Sequence, residues 1–381
     1  MNRAAVLLLL AGYWCSAQMR VDSARVRPVL HLFEPQPGET TMHCEVTPVK
    51  PSLNFSFRFQ AGYRVELPGK LFEGKGHSWT LLMRITPRAE DAKPVYLVSS
   101  RSLPEIPKTT VNLAFGGSYV VGEGTYDVSW FLVDDRSRVC RKTWRVDVHR
   151  GHSERLVKVA VPANTVLDVS LRGARLEAPE RDDAAPLRMT VLLNAAPLYQ
   201  RRTRLRGGDI GTLLSALSSL LERVPTRDVR LVVFNLEQQK ELYRNGNFTL
   251  RNMPAVAESM NGIELNTVDY QVLKNRRGHV SLLAGLLNQE LEAEPQSDVV
   301  LFIGPVSRYY DRVPSELLHP PSGPSPRFLN LKIIPLMLPP AALPDVIQNA
   351  ISRVGGKTVP VHSPGEFAKA IARLEKPEGR R

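Results

Sequence analysis

Apolar residues follow two rhythms along this chain, and the change from one to the other divides it. Between residues 26 and 150 the rhythm has period two. In 125–133, Tyr126, Val128, Trp130 and Leu132 fall on one face of an extended segment, and in 141–148 so do Trp144, Val146 and Val148. Such alternation marks a half-buried strand, because successive side chains point to opposite faces. Segments 41–46, 54–59, 79–85, 94–98 and 118–121 are also short and rich in β-branched and aromatic residues. Turn-forming glycines separate them: Pro37-Gly38, Pro68-Gly69, Gly74 to Gly76, Gly116-Gly117 and Gly122 to Gly124. Residues 124–148 read as a hairpin turning at Asp134-Asp135-Arg136-Ser137. Trp79, Trp130 and Trp144 read as packing residues.

The pattern predicts an all-β sandwich of immunoglobulin-like type over 26–150. Residues 151–186 are transitional. A further strand pair is expected at 156–161 and 166–171, and the charged, proline-flanked run 178–186 marks a boundary. From Leu187 the rhythm changes. Residues 187–193 form a continuous apolar strand. Ile210, Leu213, Leu214, Leu217, Leu220, Leu221 and Val224 then recur at helical spacing, with Asp209 placed as N-cap. Further strands are expected at 229–234, 298–303, 331–338 and 358–361. Helices are expected at 280–291, 344–354 and 363–374, the last opened by a Ser363/Glu366 capping box. A hairpin around Asn245-Gly246 and a short strand within 263–272 complete the reading. Alternating strands and helices over 187–375 predict an α/β doubly wound, mostly parallel sheet, and so a two-domain protein.

The ends add a compartment. Met1 to Arg3 carries one positive charge, 4–14 is a short apolar run, and Cys15-Ser16-Ala17 offers small residues for cleavage. Residues 1–17 read as a secretory signal peptide, and no later run reaches the length of a bilayer span. A periplasmic or secreted protein without a transmembrane anchor is expected, with a short basic tail at 376–381. Of three cysteines, Cys15 leaves with the leader. Cys44 and Cys140 form either a disulfide or two separate buried thiols. Over 381 residues the net charge is +12. That excess is spread out, apart from Arg201, Arg202, Arg204 and Arg206, and no nucleic-acid-reading motif accompanies it.

That arginine cluster lies on the loop after the 187–193 strand, where open α/β sheets bind ligands. Gly207-Gly208 with Gly211 could open a phosphate loop, but the spacing fits neither common glycine fingerprint and a helix-opening turn is expected. There is no GxSxG elbow and no HExxH motif.

The order of elements, with the strand–loop–helix opening, resembles a von Willebrand factor type A (VWFA) domain. With the leader and the preceding β domain it is similar to VWFA-related proteins of acidobacterial type. In that family a metal-ion-dependent adhesion site uses an Asp-x-Ser-x-Ser run, a Thr in a later loop and an Asp after a central strand. Here those places fall on Asn194, Ala196 and Leu198, near Gly278-His279-Val280-Ser281, and on Gly304. The resemblance therefore implies a degenerate site with no metal and no cofactor, and an adhesion-type function without catalysis. The contact surface expected is Asn194, Arg201, Arg202, Arg204, Arg206, His279, Gly304, Tyr309 and Tyr310, facing a protein partner of acidic character. Two other classes stay open: an exported α/β enzyme, a hydrolase among the candidates, with catalytic residues on loops that the sequence does not bring together, and a periplasmic assembly or scaffold factor.

Overall fold

The computed structural model describes residues 19–155, 157–168, 186–265, 270–319, 325–335 and 343–374. The expected leader, most of the 178–186 boundary run, the end of the 331–338 strand and the basic tail lie outside these residues. The chain divides into two compact units, Met1–Leu176 and Glu177–Arg381.

The first unit is built of strands. They are β1 (Met19–Val21), β2 (Thr40–Thr41), β3 (Glu45–Leu53), β4 (Phe59–Pro68), β5 (Ser78–Pro87), β6 (Val95–Ser102), β7 (Asn112–Val121), β8 (Gly124–Asp134), β9 (Arg138–Val148) and β10 (Val166–Leu167), with one short helix, α1 (Ser23–Val26), after β1. One sheet runs β1-β6-β5-β8-β9-β2 and the other β10-β7-β4-β3. Every pairing is antiparallel except that of β2 with β9. Aromatic side chains join the two sheets: Trp79 of β5 stacks on Phe115 of β7 at 4.7 Å, and Tyr63 of β4 meets Trp130 of β8 edge-on at 5.8 Å. Tyr126, Val128, Trp130 and Leu132 are all buried, as their spacing predicts.

Three expectations in this unit are corrected. Residues 54–57 are a turn, not a strand, because the Asn54 carboxamide accepts from the N–H groups of Ser56 and Arg58 and closes the chain on itself. Gly116 and Gly117 are not a turn. They lie inside β7, where Tyr63 opposite needs the room: a Cβ on Gly117 would fall 2.2 Å from the tyrosine hydroxyl. Of the late strand pair, only Val166–Leu167 forms among the described residues, and it pairs with β7. Cys44 and Cys140 are joined by a disulfide with Cα atoms 6.3 Å apart. It closes a separation of 96 residues, which on the chain-entropy account is worth about 4–5 kcal/mol.

The second unit holds one mixed sheet and the longer helices. In order they are β11 (Leu187–Asn194), α2 (Gly207–Arg223), β12 (Thr226–Asn235), β13 (Lys240–Asn245), α3 (Met253–Met260), α4 (Tyr270–Lys274), α5 (Gly278–Leu291), β14 (Val299–Pro305), β15 (Arg327–Ile333), α6 (Val346–Arg353), β16 (Lys357–Val361) and α7 (Pro364–Leu374). The sheet order is β13-β12-β11-β14-β15-β16. All neighbours are parallel except the β12–β13 edge pair. On one face Leu192, Phe302 and Phe328 pack with Leu283 and Leu287 of α5 and Ile347 and Ile351 of α6. The other face is also buried, through Val191, Leu193, Leu231, Val233, Leu301 and Ile303. Burial on both faces is why these strands read as unbroken apolar runs.

Here too the sequence pattern misplaces some edges. The hairpin partner of β13 is β12, not residues 247–251, since the chain reverses at Leu236–Gln239 with Gln239 at φ 52°. Within the short strand expected in 263–272, residues 263–265 form only a single bridge between Glu264 and Arg204, 266–269 lie outside the described residues, and α4 begins at Tyr270. Strand β15 begins at Arg327, four residues before its apolar run suggests, because β14 reaches that far and pairs Val299 with Arg327. Helix α2 begins at Gly207, so Asp209 is not the N-cap but the third helical residue. Its carboxylate reaches back to the N–H of Arg206 at 2.9 Å.

Candidate functional site

The strand order reverses between β11 and β14, so the loops leaving their carboxyl ends diverge and leave a crevice. Asn194 ends β11 and is 2% exposed. Asn235, at the end of β12, ties down the loop that follows by donating to the carbonyl of Ala195 at 2.6 Å. Ala195 and Ala196 are buried in consequence. On β14, Gly304 packs directly on Asn194, and a Cβ there would lie 2.8 Å from both the Cβ and the carbonyl oxygen of Asn194. The Asn194 carboxamide oxygen is buried and has no hydrogen-bond partner.

Beside Gly304, in register on β15, stands Lys332. Its ammonium is buried and held by the Asp345 carboxylate at 3.2 Å and the Gln348 side-chain oxygen at 2.8 Å. Asp345 is the N-cap of α6 and accepts from the N–H of Gln348, while its other oxygen accepts from the N–H of Ser307. One carboxylate thus joins β15, α6 and the loop after β14.

Further along that loop, Arg308 pairs with Glu237 at 3.2 Å and donates to the carbonyl of Arg202. Burial raises the Glu237 pKa, with the Arg308 charge opposing it. Tyr309 is half-buried, and its hydroxyl pKa is raised by burial and then by the nearby Glu237 carboxylate. The ring of His279, at the start of α5, stacks on Tyr309, and its Nε2 lies 2.9 Å from the Asp311 carboxylate.

The four arginines divide. Arg202 pairs with Asp209 at 3.2 Å and lies over the Tyr199 ring, and Arg204 pairs with Glu264 at 3.1 Å. Arg201 and Arg206 are exposed, and among the described residues no carboxylate pairs with either side chain. Tyr310 is 44% exposed. Its hydroxyl lies 3.5 Å from the Gln200 side-chain nitrogen, and Gln200 also donates to the carbonyl of Ser307. So Arg201, Arg206 and Tyr310 form an open rim. Asn194, Gly304 and His279 lie beneath the surface, Arg202 is paired with the buried Asp209, and Arg204 is paired with Glu264 at the surface.

The donors a divalent cation needs are not assembled at the strand ends. Hard cations take about six or more oxygens, with carboxylates among them. Asn194 offers one amide oxygen, Ala196, Leu198 and Gly304 offer no side-chain oxygen, and the adjacent strand brings the Lys332 charge instead. Among the described residues no group of three or more His, Cys, Asp or Glu is placed to hold a metal.

Sequence reasoning passed over Lys332, Asp345, Glu237 and Arg308. Lys332 had a visible signal, since a single lysine interrupts the apolar run from Leu331 to Leu338. Asp345 carries the N-cap signature before α6. Glu237 and Arg308 lie in loops, and only the fold brings them together.

No family model matches the chain, and no curated protein matches it. Among solved structures, it is similar to the Northeast Structural Genomics Consortium target SoR45, at 13% identity over 30% of this chain and 95% of that one, with a TM-score of 0.19. A lipoprotein from Bacteroides thetaiotaomicron matches at 10% identity over 32% of this chain and 94% of that one, with a TM-score of 0.18. A β-glucuronidase from Bacteroides uniformis matches at 9% identity over 81% of this chain, which spans 25% of the enzyme, with a TM-score of 0.20. Likenesses this slight set neither fold family nor function. No helix among the described residues is long and apolar enough to cross a membrane.

Proposed function

We propose that this is an exported, non-catalytic protein-binding protein: an immunoglobulin-like sandwich followed by a VWFA-like domain whose adhesion site works without metal. The reading of the first unit is supported by its two antiparallel sheets. It is supported too by the Tyr126 hydroxyl, which donates to the carbonyl of Gly122 four residues upstream, as in the tyrosine corner of such sandwiches. For the second unit the support is the strand order with its reversal between β11 and β14, and the helices over one face. The leader pattern and a disulfide suit an oxidising compartment.

The observation that carries the functional reading is the contrast at the strand ends. The crevice beneath is filled by Asn194, Gly304 and the Lys332–Asp345 pair, whereas the rim above it presents Arg201, Arg206 and Tyr310 to solvent. Arginine and tyrosine are residue types that carry binding energy at protein interfaces, and two guanidinium groups with no carboxylate partner among the described residues suit an acidic partner surface. The carboxylates at this end are engaged: Asp209 with Arg202, Glu237 with Arg308, Asp345 with Lys332.

The test is capture of partners from the organism's own cell envelope on immobilised mature protein, with magnesium and with chelator. Specific capture is expected to be equal in both, and to be lost when Arg201 and Arg206 are both changed to Glu. Capture that requires the divalent ion, or that survives the double charge reversal, overturns the reading.

A further inference from the structure

Lysine is almost never buried unless its charge is paired, and Lys332 is only 6% exposed. It sits on the sheet face that packs against α6, one strand away from Gly304 and, past that glycine, from the unpartnered Asn194 oxygen. This is the row of strand ends where the VWFA-like reading puts a metal ion. We infer that the Lys332 ammonium is the resident cation of this crevice: a fixed charge that joins the sheet to α6 and to the rim loop, and that keeps divalent ions out.

Both halves of that statement come from the same contacts. The ammonium touches two acceptors, both on the α6 side, Asp345 at 3.2 Å and Gln348 at 2.8 Å. The Asp345 carboxylate has no oxygen left over, since one accepts from Gln348 and the other from Ser307 as well as from the lysine. A lysine and an aspartate together carry no net charge, so nothing there compensates a second cation. At close range in a buried setting the ammonium would repel a divalent ion strongly. Gly304 closes the gap between the neighbouring strands without contributing a donor.

The clamp also reaches the surface. Ser307, held by Asp345, is followed directly by Arg308, Tyr309 and Tyr310, and the N–H of Val346 donates to the carbonyl of Tyr309 at 2.8 Å. A metal-dependent site can change shape when its ion arrives or leaves, whereas a lysine cannot dissociate. The rim loop is therefore held in one arrangement at any divalent-ion concentration. The expectation of an ion at this row of strand ends and the link from this clamp to partner binding rest on the function proposed above.

The experiment uses the whole mature chain. Mn²⁺ binding is followed by electron paramagnetic resonance on the wild type. Thermal unfolding is followed with Mg²⁺ and with chelator for the wild type, Lys332→Met, and Lys332→Met combined with Asp345→Asn. The wild type is expected to leave the Mn²⁺ signal unchanged and to melt at the same temperature in both buffers. Lys332→Met strands a buried carboxylate and should lower Tm by about 10 °C. The double variant, which keeps an N-cap residue but no charge, should regain at least half of that loss. Saturable Mn²⁺ binding by the wild type, or a wild-type melting temperature that Mg²⁺ raises, would overturn the inference. So would a Lys332→Met protein that melts with the wild type, or a double variant no more stable than the single. Partner capture is not read in any arm, so these outcomes are independent of the functional test.

Discussion

The imidazole of His279 lies flat on the ring of Tyr309, with 3.8 Å between ring centres and 12° between planes. This stack pins the start of α5 to the loop that follows β14. Aromatic pairs are worth about 0.5–1.5 kcal/mol beyond the area they bury. Tyr309→Ala should therefore destabilise the second unit by about 2 kcal/mol, whereas Tyr309→Phe, which keeps the ring, should cost under about 0.5 kcal/mol. Chemical denaturation of the two variants checks this. Equal losses would place the stabilisation in the hydroxyl instead.

Replacing both Cys44 and Cys140 with Ala should lower the stability of the first unit by about 4 kcal/mol, since the link closes most of its length. Reductant should lower the melting temperature of the wild type by a similar amount and leave the double variant unchanged. Calorimetry with and without reductant reads both.

Gly304→Asp places an acid where the proposed VWFA-like reading would have one, yet it should not create metal binding. The new Cβ would meet Asn194 at 2.8 Å on two atoms, and overpacking of that kind costs about 1–3 kcal/mol. The expected result is a lower melting temperature that Mg²⁺ does not raise. Recovery with Mg²⁺ would show that the crevice can open to take an ion.

Glu237 gives the rim a pH dependence of definite sign. Burial raises its pKa above the unfolded value of 4.5, so the folded chain holds this proton more tightly than the unfolded one. Its contribution to stability is then greatest below the unfolded pKa and is lost as pH rises through the folded one. Glu237→Gln should flatten stability against pH just above 4.5. Glu39 works in the opposite sense. The hydrogen bonds from Arg141 lower its pKa, and the stability it contributes above 4.5 is lost as pH falls further. Urea melts at stepped pH separate the two, because Glu39→Gln should cost stability above 4.5 and lose that effect as pH falls further.

The sheet of the second unit was legible because its strands are buried on both faces and so appear as continuous apolar runs, and because α2, α5, α6 and α7 carry clear apolar stripes. The first unit was legible where alternation is strict, as in β8. It was misread where a side chain rather than the backbone pattern decides the geometry. Asn54 folds a β-rich segment into a turn, and Tyr63 converts two glycines from turn signal to strand interior. At the candidate site the sequence located the loops but not their pairing. It grouped four arginines that the fold separates into two paired with carboxylates, Arg202 and Arg204, and two with no carboxylate partner among the described residues, Arg201 and Arg206. It also passed over Lys332, whose meaning depends on Asp345, thirteen positions away and on a different element.

Tyr63 and Gly117 face each other across β4 and β7, with the tyrosine hydroxyl lying where a Cβ would be. The two positions therefore behave as a single heritable unit. A larger residue at 117 evicts the ring from its contact with Trp130, and a smaller one at 63 leaves a hole above a bare backbone. Distant relatives of this chain should keep both residues or exchange both together, so the pair is a marker for recognising them where overall identity has faded.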